Sequence, residues 1–151
     1  MVNASDMEPI VETSEFLPDE AATLAFAARF ANSLKAPCSI ALFGDLGAGK
    51  TTFVRGVLRA LGVTEAIKSP TYALVESYET AKGEVHHLDA YRIDSVDDFA
   101  ARGGFEYFAT PSIRFVEWPQ RLHGALRFDV RIRIDFEDEG RRVTVANGPA
   151  Q

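Results

Sequence analysis

The stretch from Gly44 to Thr51 reads G-D-L-G-A-G-K-T and fits the phosphate-binding loop pattern G-x-x-x-x-G-K-[ST]. Glycines suit such a loop because backbone N–H groups must turn inward around phosphate oxygens, where a Cβ would collide or where φ must be positive. Lys50 can offer a positive charge to the β- and γ-phosphates, and the Thr51 hydroxyl can bind Mg²⁺. The octet therefore predicts a site for a nucleoside triphosphate.

The segments on either side of the octet support this interpretation. The apolar run over residues 38–43 is typical of a buried parallel strand. After the octet, apolar residues recur at helical spacing from Phe53 to Leu61, and Gly62 marks the expected helix end. The alternative is a glycine-rich turn that ends in Lys-Thr by chance. The order strand, loop, helix favours a phosphate site, because it places the anion at a helix N-terminus.

Further elements are predicted on both sides of this unit. A helix is expected to begin near Pro18, with acidic residues in its first turn. From Phe128 to Phe136 apolar and charged residues alternate, which indicates a half-exposed strand, and Gly140 lies in the turn before a last strand. The other predicted elements are strands over 73–78, 84–89 and 112–117 and a short helix over 95–101.

This order of elements predicts an α/β protein. We expect a P-loop NTPase-like three-layer fold, with a small parallel sheet core and flanking antiparallel strands. The 151 residues suit one domain, with no space for the many crossover helices of a large motor domain. The expected boundaries are a flexible N-terminus over residues 1–9, a single P-loop domain over 10–147 and a C-terminal tail over 148–151.

Composition argues against several classes of protein. A net charge of −6 is unlike a protein that holds nucleic acid by itself through a broad basic face. No stretch approaches the ~18 apolar residues of a membrane span, and the N-terminal residues lack a signal-peptide core. The one cysteine, Cys38, lies in a predicted core strand, so no disulfide framework is expected. These features predict a cytoplasmic protein that does not bind membranes.

Two carboxylates are candidates for metal binding and for orienting an attacking water. Asp89 ends the run V-H-H-L-D, and Glu117 ends the run I-R-F-V-E. Each falls at the C-terminal end of a predicted strand, where such groups are expected in this architecture. Hydrolysis needs groups that hold metal and aim water, beyond those that bind phosphate. A capping or surface role is the alternative for each acid, and the presence of two at two strand ends favours the functional interpretation.

Three other groups of residues are open to more than one interpretation. His86 and His87 are adjacent, so on a strand they point to opposite faces and cannot share a metal. Tyr91 and Arg92 either pack beside a strand end or stabilise charge near a triphosphate. The last group forms either a solvated strand face or a docking surface for tRNA or an acidic partner, and it consists of Arg127, Arg131 and Arg133.

Four segments together resemble one family. They are the octet with Thr52, S-P-T-Y over residues 69–72, H-L-D-A-Y-R over 87–92, and E-W-P over 117–119. In this order they resemble the TsaE (YjeE) family, small bacterial ATPases needed to make threonylcarbamoyladenosine at position 37 of tRNAs that read codons beginning with A (ANN codons). The resemblance runs from about Phe16 to Val145. It implies ATP as the nucleotide and Mg²⁺ as the metal.

The resemblance implies roles for individual residues. Lys50 would bind the γ-phosphate, Asp89 would be the Walker-B-like acid, and Glu117 would take part in metal binding and hydrolysis. Thr71 resembles a switch residue that senses the γ-phosphate, and Trp118 matches a tryptophan close to the active site. The implied Mg²⁺ ligands are Thr51, Asp89 and Glu117, and the implied ATP contacts are Leu46, Gly47, Ala48, Gly49, Lys50, Thr51 and Arg141.

The resemblance also implies partners. TsaE-like proteins work with the TsaD–TsaB pair, which transfers the threonylcarbamoyl group, and their ATP hydrolysis resets that complex. Contact with tRNA would then be indirect, and weak self-association stays open. A small-molecule P-loop kinase is the main alternative, although no compact arginine cluster precedes Glu117. A scaffold that only binds ATP is a third, and a GTPase is disfavoured because no N-K-x-D element occurs.

Overall fold

A computed structural model describes residues 11–147 of the chain. The predicted flexible N-terminus over 1–9 and the predicted tail over 148–151 lie outside the described residues. The strands and helices in chain order are β1 Val11–Leu17, α1 Glu20–Ser33, β2 Cys38–Phe43, α2 Lys50–Ala60, β3 Val75–Thr80, β4 Gly83–Asp89, α3 Val96–Ala101, β5 Ile113–Glu117, β6 Val130–Glu137 and β7 Gly140–Asn147. Short 3₁₀ turns also occur at Gly104–Phe108 and Pro119–Leu122.

The strands form one sheet in the order β1-β7-β6-β2-β5-β4-β3. The pairs β6–β2, β2–β5 and β5–β4 are parallel, whereas β1–β7, β7–β6 and β4–β3 are antiparallel. The prediction of a small parallel core with antiparallel flanks is therefore confirmed. In the parallel core, Leu42 and Asp89 both pair with Glu117, so the C-terminal ends of β2, β4 and β5 meet at one edge.

Two hydrophobic cores hold the sheet between layers. On one face, α1 and α2 pack over residues such as Ile40, Leu42 and Phe115, and on the other, α3 and the 3₁₀ turns cover Leu88 and Val116. Burying a side chain of this size stabilises the fold by roughly 1.5–3 kcal/mol. Because α2 belongs to the first core, its N-terminus, where the octet lies, is fixed at the C-terminal edge of the parallel strands.

Strand β1 was not predicted, and the sequence explains why. Its residues V-E-T-S-E-F-L show no clean alternation, since residues 12–16 are all exposed and Leu17 is buried. The strand forms by main-chain pairing with β7 along its whole length. An edge strand of this kind depends on its neighbour more than on its own hydrophobic pattern. Strand β3 likewise begins at Val75, two residues later than predicted, because residues 73 and 74 lie in a bend.

Among the described residues, no helix has the length and apolar character that crossing a membrane requires.

Candidate active site

The octet connects β2 to α2 through a loop that depends on glycine. Gly44 has φ +150°, and a Cβ there would lie 2.5 Å from the backbone oxygen of Ile134. Gly49, directly before α2, has φ +113° in the left-handed region. Side chains disfavour that region, so the sharp entry into α2 needs glycine. The loop consequently presents its backbone at a helix N-terminus, which favours anions.

Lys50 is the first residue of α2 and is only 5% exposed. Its Nζ donates a hydrogen bond to the Gly44 carbonyl and lies 4.2 Å from the centre of the Trp118 ring. Burial lowers the pKa of Lys50, while the nearby carboxylates of Glu117 and Asp89 act in the opposite direction. Trp118 itself has φ +56°, a strained conformation for a bulky residue. In this conformation the indole ring of Trp118 lies against the ammonium group of Lys50.

The two predicted acids lie side by side at the ends of β4 and β5. Glu117 is 5% exposed, and its Oε2 lies 2.5 Å from His87 Nε2 and 3.4 Å from the Thr51 hydroxyl. Asp89 is half-buried and accepts a hydrogen bond from the Tyr91 backbone N–H at 2.9 Å. Burial raises the pKa of Asp89, and the neighbouring Glu117 adds to this increase. The carboxyl groups of Asp89 and Glu117 thus form the acidic part of the site, close to Lys50.

These groups line one cavity of about 290 Å³, the phosphate-side cavity. It brings together all the predicted catalytic and metal-binding residues, including Thr71, although they come from the loop, two strand ends and the segment before β3. Two predicted ATP contacts, Ala48 and Arg141, do not line it. The residues that do are Leu46, Gly47, Gly49, Lys50, Thr51, Thr52, Ser69, Thr71, Asp89, Tyr91, Arg92, Glu117 and Trp118.

A second cavity of about 230 Å³ lies on the other side of the octet, and it contains Ala48 and Arg141. Arg141 Nε donates to the Ala48 carbonyl at 2.9 Å, and its guanidinium lies 4.3 Å from the centre of the Phe136 ring. Gly47, Gly49 and Thr52 line both cavities. We call this second one the loop-side cavity. Strand β7 thus places Arg141 on the octet.

The segment over residues 69–72 lies at the mouth of the phosphate-side cavity. The hydroxyls of Ser69 and Thr71 are 2.8 Å apart and exposed. Tyr72 is 90% exposed, and the Arg92 guanidinium lies 5.0 Å from the centre of its ring. All of these residues except Pro70 are exposed, and such exposure is typical of segments that move on ligand binding. Arg92 lies at the cavity rather than only packing beside the strand.

His87 is the residue of this site that the sequence analysis did not assign. Adjacency in the sequence argues only against a metal shared by the two histidines, and they do diverge: His86 pairs with Ser77 and packs on Tyr107. His87 instead contacts Glu117 and is fully buried. The signal was available, because residues 87 and 89 share one face of a strand that ends at an acid. No group of three or more His, Cys, Asp or Glu that could hold a metal occurs within residues 11–147.

Comparisons with known proteins agree on one family. The family model for threonylcarbamoyl adenosine biosynthesis protein TsaE matches residues 17–144. The tRNA threonylcarbamoyladenosine biosynthesis protein TsaE of Haemophilus influenzae is 38% identical over 136 residues, covering 86% of each chain. The Aquifex aeolicus protein of the same name is 38% identical over 128 residues, covering 83% of this chain and 89% of the relative. The crystal structure of Bacillus subtilis YdiB matches with a TM-score of 0.74 at 27% identity, covering 93% of this chain and 88% of that one. The chain therefore belongs to the TsaE family.

Proposed function

We propose that this protein binds ATP with Mg²⁺ and hydrolyses it in the service of threonylcarbamoyl modification of tRNA adenosine. One observation carries the proposal: Lys50, Thr51, Asp89 and Glu117 line a single cavity at the N-terminus of α2. A cationic group, a hydroxyl and two carboxylates are the groups that phosphoryl transfer to water requires. The biosynthetic role rests on family membership and on the names of the relatives.

The two cavities suggest how ATP lies on the protein. The triphosphate fits the phosphate-side cavity, where the loop N–H groups and Lys50 offer positive charge. The base and ribose then extend across Gly47 and Gly49 into the loop-side cavity, because both glycines line both cavities. Arg141 would hold the loop carbonyls and border the nucleoside. Lys50 must exchange its contact with the Gly44 carbonyl for a phosphate oxygen.

The donor set fits Mg²⁺. The Thr51 hydroxyl lies beside the Glu117 carboxylate, and Asp89 pairs with Glu117 across the strands. All three offer oxygen, the ligand that Mg²⁺ prefers, and Mg²⁺ usually completes its shell with water and substrate phosphate. When bound, Mg²⁺ neutralises phosphate charge. The residues of this chain hold the phosphate (Lys50) and orient the attacking water (Glu117 with Asp89).

Hydrolysis would be coupled to a partner. On the basis of the family resemblance, the proposed partner is the TsaD–TsaB pair, and tRNA is contacted through that pair. In this proposal the chain does not itself transfer the threonylcarbamoyl group. Thr71 would sense the γ-phosphate, so the segment over residues 69–72 would order around ATP and relax after hydrolysis. Leu46 lines the same cavity and Tyr72 follows Thr71, which also lines it; the two are 65% and 90% exposed and would be available to a partner. We propose that residues 10–147 act as one unit in the cytoplasm.

The test is phosphate release from ATP and from GTP, with and without Mg²⁺, for this chain alone and with purified TsaD and TsaB. The proposal expects weak release alone and stimulation by the pair that is specific to ATP and to Mg²⁺. The variant Lys50→Ala should abolish the stimulated release of phosphate, whereas Arg55→Ala, which alters an exposed residue of the same helix, should not. Equal rates with and without the pair would contradict the partner role. Turnover only with an added metabolite would favour the kinase.

A further inference from the structure

We infer that His87 is a positioning residue that fixes the orientation of the Glu117 carboxylate for metal binding and hydrolysis. This inference rests on the proposed function. His87 Nε2 and Glu117 Oε2 are 2.5 Å apart, and the two residues are 0% and 5% exposed. Because Oε2 is occupied by this contact and by the Thr51 hydroxyl at 3.4 Å, Oε1 is the carboxylate oxygen left to face the reacting groups.

The placement of His87 supports a role that acts through Glu117. His87 pairs with Phe115 and Asp89 pairs with Glu117, so the histidine lies one step behind the two acids on the same face of the sheet. It does not line the phosphate-side cavity. It lies outside the space proposed for the triphosphate, and its contact with Glu117 is the route by which it would influence the reaction.

The second ring nitrogen argues that stability is not the reason for this histidine. His87 Nδ1 is buried and has no hydrogen-bond partner among residues 11–147. A carboxylate only accepts hydrogen bonds, so this contact places a proton on Nε2 and leaves Nδ1 without a partner. One polar nitrogen is therefore unsatisfied, and an apolar side chain of similar size would avoid that penalty.

The kinetic test compares three variants. His87→Leu removes the donor, whereas His87→Gln keeps an N–H group at a similar reach. His86→Gln is the matched control, since His86 is buried next to it but faces the other side, against Ser77 and Tyr107. Loss of a group that hydrogen-bonds to a metal ligand changes metal affinity or activity by about 10–100-fold. We expect His87→Leu to lower kcat to that extent and to raise the Mg²⁺ requirement, with unchanged ATP affinity in EDTA; His87→Gln should recover most of the loss.

A merely structural role predicts a different pattern. His87→Leu and His86→Gln would then change the thermal midpoint without a selective loss in kcat, and His87→Gln would give no rescue. That result would overturn the inference while leaving ATP hydrolysis by the wild-type protein intact. Intrinsic fluorescence of the single tryptophan, Trp118, reports ATP affinity independently of turnover, because its ring lies against Lys50.

A spectroscopic measurement on the free protein separates this inference from the proposed function. Nitrogen-15 spectra of the imidazole rings should show one of the three histidines as the Nε2–H tautomer with a slowly exchanging proton. The signal should disappear in His87→Gln. Observation of the Nδ1–H tautomer, or of a rapidly exchanging ring, would overturn the inference. If wild-type protein showed no ATP hydrolysis at all, the proposed function would fail, and this spectrum alone would decide whether His87 holds Glu117.

Discussion

Charged side chains are buried at the parallel centre of the sheet, whereas they are exposed at its antiparallel β1–β7–β6 edge. At the centre, Lys50, Glu117 and His87 are at most 5% exposed, Lys50 and Glu117 line the phosphate-side cavity, and His87 contacts Glu117. At the edge, charged side chains remain in contact with solvent and form ion pairs. Arg142 pairs with Glu137 at 2.7 Å, and Arg29 pairs with Glu15 at 2.7 Å. Exposed pairs of this kind contribute about 0–1 kcal/mol each.

Burial of charged groups at the centre lowers the stability of the fold at the site of the proposed reaction. Desolvation lowers the pKa of Lys50 and raises the pKa of Asp89, so the fold disfavours the charged form of both groups. The edge shows no comparable burial of charge among the residues described for β1, β6 and β7. Removal of a charge from the centre should therefore harm the reaction and spare stability, whereas substitutions at the edge should have small effects on turnover.

The largest effect is expected for Lys50→Ala. Loss of one preorganised charge on a transferring phosphoryl group lowers kcat by about 100- to 1,000-fold. Because the ammonium is buried, its removal should leave the thermal midpoint unchanged or raise it. Phosphate release and thermal unfolding of the same preparation check both parts. A large fall in the midpoint would show that the lysine serves the fold, and the contrast with the edge would be lost.

The next effect is expected for Asp89→Asn, with kcat lower by about 10- to 100-fold. Its stability effect has a defined sign. The folded pKa of Asp89 is raised, so the folded state binds more protons than the unfolded state between the two pKa values, and stability falls as pH rises through that window. At neutral pH the ionised form is disfavoured, so Asp89→Asn should raise the thermal midpoint of the free protein. Above pH 4 the wild-type midpoint should fall more steeply with pH than that of the variant, and parallel curves would refute this.

A smaller effect is expected for Arg141→Met at the edge. This change removes the hydrogen bond to the Ala48 carbonyl and the contact with Phe136. Because this bond holds an octet carbonyl at the proposed ATP site, its loss, with a net value of about 1 kcal/mol, should weaken ATP binding by up to about 5-fold, with kcat nearly unchanged. Arg142→Met is the matched control, because Arg142 is adjacent but pairs with Glu137. Fluorescence titration with ATP measures both, and equal affinities for the two variants would remove Arg141 from the nucleotide site.

The centre was predictable from sequence, as were β6 and β7 at the edge, whereas β1 was not. The glycine octet, the apolar run of β2 and the acids at two strand ends are local patterns, and the fold brings Lys50, Asp89 and Glu117 into one cavity as those patterns predict. Strand β1 was missed because an edge strand takes its conformation from pairing with β7, which no local pattern records.

The contact between His87 and Glu117 was missed for a related reason. It depends on the register of two parallel strands that are distant in sequence, His87 pairing with Phe115 and Asp89 with Glu117. Alternation places residues 87 and 89 on one face, but only the register shows which side chain of β5 lies beside the histidine. The second cavity beside the octet also needed the fold, because Arg141 reaches the octet from 93 positions away.

The smallest effect on turnover is expected for Lys82→Met, at the turn between β3 and β4. Lys82 Nζ donates to the carbonyls of Ala31, Asn32 and Leu34 at 2.6–3.0 Å, and so caps the C-terminus of α1. Without it, partly buried carbonyls lose their donor, so the free energy of unfolding should fall by about 1–2 kcal/mol. Denaturant unfolding measures this, with Lys35→Met as a control at an exposed lysine beside the same helix end. ATP hydrolysis should stay at the wild-type rate, because the lysine lies outside both cavities. A loss of turnover comparable to that of Asp89→Asn would mean that α1 carries strain to the site, and stability and chemistry would then not be separable between the two regions.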